Sequence, residues 1–180
     1  MTERLELGEG IELREWIPAD AEEAFAEVDQ NRERLREWLP WVDLTHSPDD
    51  VRAFIERCAA SEGKQRSFGI YVDGVLAGNI GLTLNEDNAG EIGYWIAGAF
   101  EGRGLVTAAA RAMLRLGFEE RELRRMYLTA GVENERSRAV ATRLGMTEEG
   151  VLRRAGRIRE DRYVDLVMYS ILREEWQGVV

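Results

Sequence analysis

The spacing of apolar residues changes character repeatedly along the chain, and each change marks an element. Ile11 and Leu13 alternate with Glu12 and Arg14 in IELREW, the two-residue period of a half-buried strand. Ala21, Ala24, Phe25 and Val28 then recur at helical spacing, and a second helical stretch runs through Leu35 and Trp38 until Pro40 stops it. SPDD predicts a third helix, with Ser47 as N-cap, Pro48 in the first turn and two aspartates at the positive end, closing near Gly63. FGIYVDGVLAGNIGLTL reads as two strands joined at Asp73-Gly74, a two-residue hairpin turn. After the polar NEDNAG comes the strand EIGYWI. A long helix over about 104–120 turns Leu105, Ala109, Ala112, Met113 and Leu116 inward. MYLTAGV is a strand, SRAVATRLG a short helix ending at Gly145, and EEGVLRRA and YVDLVMYSIL are the last two strands. No repeat or linker interrupts this order, so one domain over 1–180 is expected. A chain of 180 residues that is 44% hydrophobic buries roughly 70% of its unfolded surface in a single core.

Charge changes the picture by its distribution. Residues 1–62 hold 17 acidic against 7 basic side chains, and the remainder holds 17 of each, so the whole net charge of −10 is N-terminal. Such a chain offers no basic face to DNA or RNA and no polybasic membrane patch. The acidic part favours a cationic partner, and solubility explains it equally well. There is neither a cationic start followed by an apolar run nor an apolar stretch near the roughly 20 residues a bilayer needs, which gives the expectation of a soluble, cytoplasmic protein. One cysteine, Cys58, and one histidine, His46, leave no disulfide and no Cys/His metal cluster. Cys58 continues the spacing Val51, Phe54, Ile55 and reads as core, and His46 lies in a polar loop.

The stretch AFEGRGLVTAAA carries the chemistry. Gly102 and Gly104 flank Arg103 immediately before a helix, and free amides at a helix N-terminus, cleared of side chains and reinforced by an arginine, form an anion site. A glycine connection without a ligand is the alternative. GRGLVT lacks the third glycine of a dinucleotide fingerprint and the Gly-Lys-Ser/Thr of a P-loop, and the antiparallel hairpins that precede it do not suit either fold.

EIGYWI followed by FEGRGLVTAA, then VENERSRAVATRLGM and the closing DRYVDLVMYSILREEW, resemble the GCN5-related N-acetyltransferases, and within them the RimJ/RimL type that acetylates N-termini of ribosomal proteins. LREWLPWVD resembles that branch too, so the likeness runs from about residue 8 to 176. It implies a mixed α/β fold: a twisted, mostly antiparallel sheet of about seven strands with one splayed parallel pair, flanked by four to five helices. It implies acetyl-CoA as co-substrate and no metal. Its pyrophosphate would lie on Gly102, Arg103, Gly104, Leu105, Val106 and Thr107, and its pantetheine arm along Ile96 and Ala97, with Asn134 and Arg138 also assigned to the cofactor. The acceptor would be an amine, with Trp38 and Trp41 walling its pocket; core packing explains these tryptophans as well. A homodimer stays open.

The chain departs from the family pattern at Glu101, Gly104 and Val106, which stand where Gln/Arg-x-x-Gly-x-Gly/Ala is usual. Ala141 occupies the position of a common tyrosine acid, and the carboxylate proposed as base in some RimL-type enzymes falls on Gly156 or its neighbours, with no carboxylate expected nearby. Acetyl transfer needs a neutral amine, a donor for the oxyanion and a proton for the departing thiolate. A backbone amide of GYWI would face the oxyanion. The resemblance places Ser137 by the sulfur; an ordinary first-turn serine is the alternative. Asn134 would cap that helix and also touch the pantetheine arm. Glu91 is the best carboxylate for deprotonation, set against a merely solvated strand residue. An α-amine near pKa 7.8 costs about 3.5 kcal/mol less to deprotonate than lysine near 10.4, so an N-terminal acceptor is favoured over lysine. Polyamines and amino sugars remain open, as does a silent acyl-CoA-binding module.

Overall fold

The computed structural model describes residues 3–178. One sheet of eight strands forms the centre, in the order β1-β2-β3-β4-β5-β6-β8-β7. Its strands are β1 (Arg4–Gly8), β2 (Ile11–Glu15), β3 (Gln65–Val72), β4 (Val75–Leu84), β5 (Ala89–Ile96), β6 (Arg125–Gly131), β7 (Thr147–Arg157) and β8 (Tyr163–Leu172). Five helices flank it: α1 (Ala21–Gln30), α2 (Arg32–Leu35), α3 (Pro48–Ala60), α4 (Leu105–Arg115) and α5 (Glu135–Arg143). All strand pairs are antiparallel except β5 with β6.

The eighth strand, beyond the seven expected, is β1. Leu5 and Leu7 alternate with Arg4 and Glu6 there, but the strand lies on the sheet edge and even its inward positions are only half buried, so its pattern is faint. The helix expected through Trp38 is a single turn, α2, followed by a 3-10 segment at Pro40–Leu44. The helix expected over 104–120 is α-helical to Arg115 and closes with a π-helical turn at Leu116–Glu120.

Local chemistry explains the remaining boundaries. Asp73 (φ 50°) and Gly74 (φ 79°) are both left-handed, the conformation a two-residue hairpin requires. The start of α3 is fixed by Asp50, whose carboxylate accepts the Ser47 N–H at 2.9 Å and its hydroxyl at 3.1 Å. Two cores result. One joins Phe68, Ile80, Leu82 and Ile92 to Leu105, Ala109, Met113 and Val140 beneath α4 and α5. The other joins Tyr71 and Trp95 to Ala24, Val28 and Ile55 beneath α1 and α3. Each large apolar side chain fully buried this way contributes about 1.5–3 kcal/mol.

Candidate active site

Among the described strands the one parallel pair, β5 with β6, is also a short one. β5 meets β6 only at Ala89–Glu91 opposite Arg125–Tyr127, whereas β4 stays paired to β5 as far as Ile96 and β8 to β6 as far as Gly131. Beyond Glu91 the strands diverge, and the facing backbone edges of 92–96 and 128–131 share no ladder. Backbone groups left without a strand partner are available to a guest.

At the open end, a 3-10 turn at Gly98–Phe100 leads into Gly102 (φ 73°) and Gly104 (φ 75°), both left-handed. A Cβ built on either glycine meets nothing within 4 Å, so the turn faces open space. The first intrahelical bond of α4 runs from the Ala108 N–H to the Gly104 carbonyl, which leaves the amides of Leu105, Val106 and Thr107 without intrahelical acceptors. This is the donor set an anion needs. Arg103 lies over the Phe100 ring, 5.4 Å from its centre.

Glu101 turns away from a role against an anion, for its carboxylate is bound by Arg34 of α2 and, at 2.6 Å, by Arg136 of α5. Arg34 also donates to the Ile96 carbonyl, and Asn31 accepts the Gly98 N–H at 2.9 Å. The α1–α2 corner is thereby tied to the glycine turn. Of the two positions expected along the pantetheine arm, Ile96 has its carbonyl engaged by Arg34, and the Ala97 N–H is bonded back to the Ala77 carbonyl at 2.8 Å.

Across the cleft, Asn134 caps α5 by accepting the Ser137 N–H at 3.2 Å. Ser137 Oγ stands 2.8 Å from the hydroxyl of Tyr94, a β5 residue to which the sequence reading gives no role. Burial raises the Tyr94 pKa above its ordinary value, partly opposed by the Ser137 hydrogen bond. Ala141 is fully buried in the core under α4.

Side-chain alternation separates the two faces of β5. Tyr94 and its neighbours Ile92 and Ile96 pack toward α4, while Trp95 packs toward α1 and α3, so Glu91 and Gly93 share the face of Trp95. The Glu91 side chain makes no hydrogen bond or ion pair among the described residues, and burial pushes its carboxyl above the usual range. A Cβ on Gly93 would meet nothing within 4 Å, which leaves room beside Glu91.

Other expected site residues are placed differently. Arg138 is engaged by protein groups: it donates to the Tyr169 hydroxyl at 3.0 Å and the Val132 carbonyl at 3.1 Å and pairs with Glu148. It ties α5 to the sheet, because a helical residue one position beyond Ser137 faces a different side. Trp38 lies against Gly131 at the end of β6, whereas Trp41 is at the surface with 36% exposure. The hairpin near Gly156 does hold a carboxylate, contrary to expectation: Asp165 accepts the Arg154 N–H at 2.7 Å. It comes from the facing strand, beside an irregularity between Leu152 and Gly156. Within the acidic N-terminal part, Asp43 is already paired, by Arg36 and by Arg159.

A family model described as an acetyltransferase (GNAT) domain matches residues 11–147. The chain belongs to that family. Over 179 residues it is 41% identical to a Bacillus subtilis (strain 168) protein named "Putative ribosomal N-acetyltransferase YdaF", covering 96% of each chain. The ribosomal-protein-serine acetyltransferase of Escherichia coli (strain K12) is 28% identical over 174 residues, 94% of this chain and 97% of that one. Among solved structures, the Microcin C7 self immunity acetyltransferase MccE in complex with acetyl-CoA and AMP superposes with a TM-score of 0.84 at 26% identity, over 92% of this chain and 94% of that chain.

As a GNAT enzyme the chain is an acetyltransferase whose acetyl donor is acetyl-CoA. Its residues fit that group: the open glycine turn offers amides to a diphosphate, and the diverging strands offer unpaired backbone to an amide-bearing arm. Among the described residues no group of three or more His, Cys, Asp or Glu could hold a metal ion, and no helix is long and apolar enough to cross a membrane.

Proposed function

We propose that the chain acetylates the N-terminal α-amine of a protein, a ribosomal protein foremost, by direct transfer from acetyl-CoA. The observation that carries this reading is end-to-end similarity: the relative at 41% identity, named for a ribosomal N-acetyltransferase, is matched over 96% of both chains.

In this reading each role is assigned to a group described above. The amides of Gly102 to Thr107 hold the cofactor diphosphate, and Arg103 adds charge. The β5 edge from Ile92 to Ile96 aligns the pantetheine arm, and one of its amides faces the oxyanion. Glu91, beside the open Gly93, takes the proton from the attacking amine directly or through water; a carboxyl raised by burial is a stronger base than an exposed one. Ser137 supplies the proton to the departing thiolate. Trp38, leaning over the end of β6, walls the acceptor side. The roughly 3.5 kcal/mol advantage of an α-amine over a lysine side chain suits a site with one modest base.

The test is thiol release from acetyl-CoA with N-terminal peptides of ribosomal proteins, internal-lysine peptides, spermidine and an aminoglycoside. N-terminal peptides should give the highest kcat/KM, with mass spectrometry placing the acetyl group on the α-amine. Faster turnover of spermidine or the aminoglycoside would overturn the acceptor assignment, and no turnover with any amine despite tight acetyl-CoA binding would identify a silent binding module.

A further inference from the structure

Ser137 alone is a poor proton donor, because an alcohol left as an alkoxide is far more basic than a thiolate. The structure supplies what would correct this. Tyr94 and Ser137 approach from opposite walls of the cleft, β5 and α5, and their hydroxyl oxygens lie 2.8 Å apart. Ser137 is held from behind by Asn134 through its N–H, and the Tyr94 hydroxyl also lies 3.4 Å from the Ser137 carbonyl.

We infer that Tyr94 is a positioning residue for proton delivery: its phenol holds Ser137 Oγ and replaces the proton that Ser137 gives to the thiolate. This rests on the role proposed above for Ser137. The exchange balances. The Ser137 O–H bond breaks as the S–H bond forms, the Tyr94 O–H bond breaks as the Ser137 O–H bond re-forms, and the phenolate recovers a proton from solvent. The proton lost by the amine goes to Glu91 or water, so one proton leaves nitrogen for each one that reaches sulfur.

The surroundings keep the phenol in its proton-bearing form. Burial is the main influence and Ser137 the other. Charged groups on the neighbouring elements are directed elsewhere: Arg136 to Glu101, Arg138 to Tyr169 and Glu148, and Glu135, Arg111 and Arg115 to solvent. Glu91 is on the opposite face of β5. A neutral phenol with an ordinary pKa near 10 is a much better acid than an alcohol, so the relay is downhill relative to serine acting alone.

The experiment compares Tyr94→Phe, Ser137→Ala and the double variant. Tyr94→Phe should lower kcat by about 10–100-fold, at the low end of a general-acid contribution, with the acetyl-CoA KM within about twofold, and it should remove the alkaline limb of the pH profile. The double variant should be no worse than Ser137→Ala, since both act in one step. A second readout needs no turnover. The ultraviolet titration of Tyr94 in the free protein, taken as the difference from Tyr94→Phe, should move to higher pH in the Ser137→Ala background, where the hydrogen bond that lowers its pKa is lost. If Tyr94→Phe folds poorly, uniform replacement of tyrosine by 3-fluorotyrosine, a more acidic phenol, should move the alkaline limb to lower pH. Full kcat in Tyr94→Phe while Ser137→Ala is impaired overturns the relay alone, as does an unchanged Tyr94 titration. Full kcat in Ser137→Ala overturns the role of Ser137 itself. A loss in Tyr94→Phe confined to melting temperature makes the pair structural.

Discussion

Trp38 and Gly131 are in direct packing: a methyl group on Gly131 would stand 2.7 Å from Cζ3 and 3.0 Å from Cε3 of the indole. The contact joins the segment after α2 to the end of β6, three residues before Asn134, the N-cap of α5, so the aromatic proposed for the acceptor side is seated by the absence of a side chain on a cleft strand. Gly131→Ala should therefore displace the ring, destabilise the fold by about 1–3 kcal/mol as overpacking does, and raise the acceptor KM more than that of acetyl-CoA. Adding Trp38→Ala should cancel most of the stability loss caused by the methyl group, because the two residues are in contact. Denaturant unfolding of the single and double variants checks the first effect, and steady-state kinetics the second.

Gly104 separates binding from stability. Its left-handed φ of 75° costs a side chain about 1–2 kcal/mol, yet nothing in the protein would clash with a Cβ there. Gly104→Val should thus remain folded with a modestly lower melting temperature while calorimetry detects little or no coenzyme A binding. Binding retained at the original affinity would show that the turn does not face the diphosphate.

Glu91 predicts a trade between activity and stability. Burial raises its carboxyl pKa, so the folded state takes up a proton more readily than the unfolded chain. Its favourable contribution is complete below the unfolded pKa and is lost as pH rises through the folded one. Glu91→Gln should accordingly melt at a higher temperature than the parent near pH 7.5, with the difference vanishing toward pH 4. The same variant should lose kcat with little change in acetyl-CoA KM. Thermal melts across pH, beside kinetics at pH 7.5, test both.

Glu149 has the opposite sign. Hydrogen bonds from Arg125 and Ser170 hold its carboxyl down at about 2, as it reaches across β8 to β6. Its contribution is present above the unfolded carboxyl pKa of about 4.3 and is lost as pH falls toward 2. Glu149→Gln should be less stable than the parent at pH 7, and the gap should narrow between about pH 4 and pH 2. A gap independent of pH would assign the loss to packing.

The separation between what the sequence determined and what only tertiary structure decided follows the range of each interaction. The hairpin at Asp73-Gly74, the start of α3 at Ser47 and Pro48, the inward face of α4 and the amide-bearing turn at Gly102 and Gly104 were all legible, because backbone sterics and helix ends act within a few residues. The capping of α5 by Asn134 is local in the same sense. Edge strand β1 was not legible, since half-exposed positions leave only a weak alternation. Nor could sequence show that Arg138 turns to Tyr169 and Glu148, that Arg34 and Arg136 bracket Glu101, or that Asp43 is neutralised by Arg36 and Arg159. Those pairings join residues from 7 to 116 positions apart, and their geometry exists only once the sheet is assembled. Tyr94 is the clearest case. Its place in EIGYWI marks a strand aromatic, and strand alternation fixes its face, but the hydroxyl partner 43 residues away is supplied by the divergence of β5 from β6 and the docking of α5 over the gap. Sequence sets which groups can donate; the packed sheet decides which of them meet.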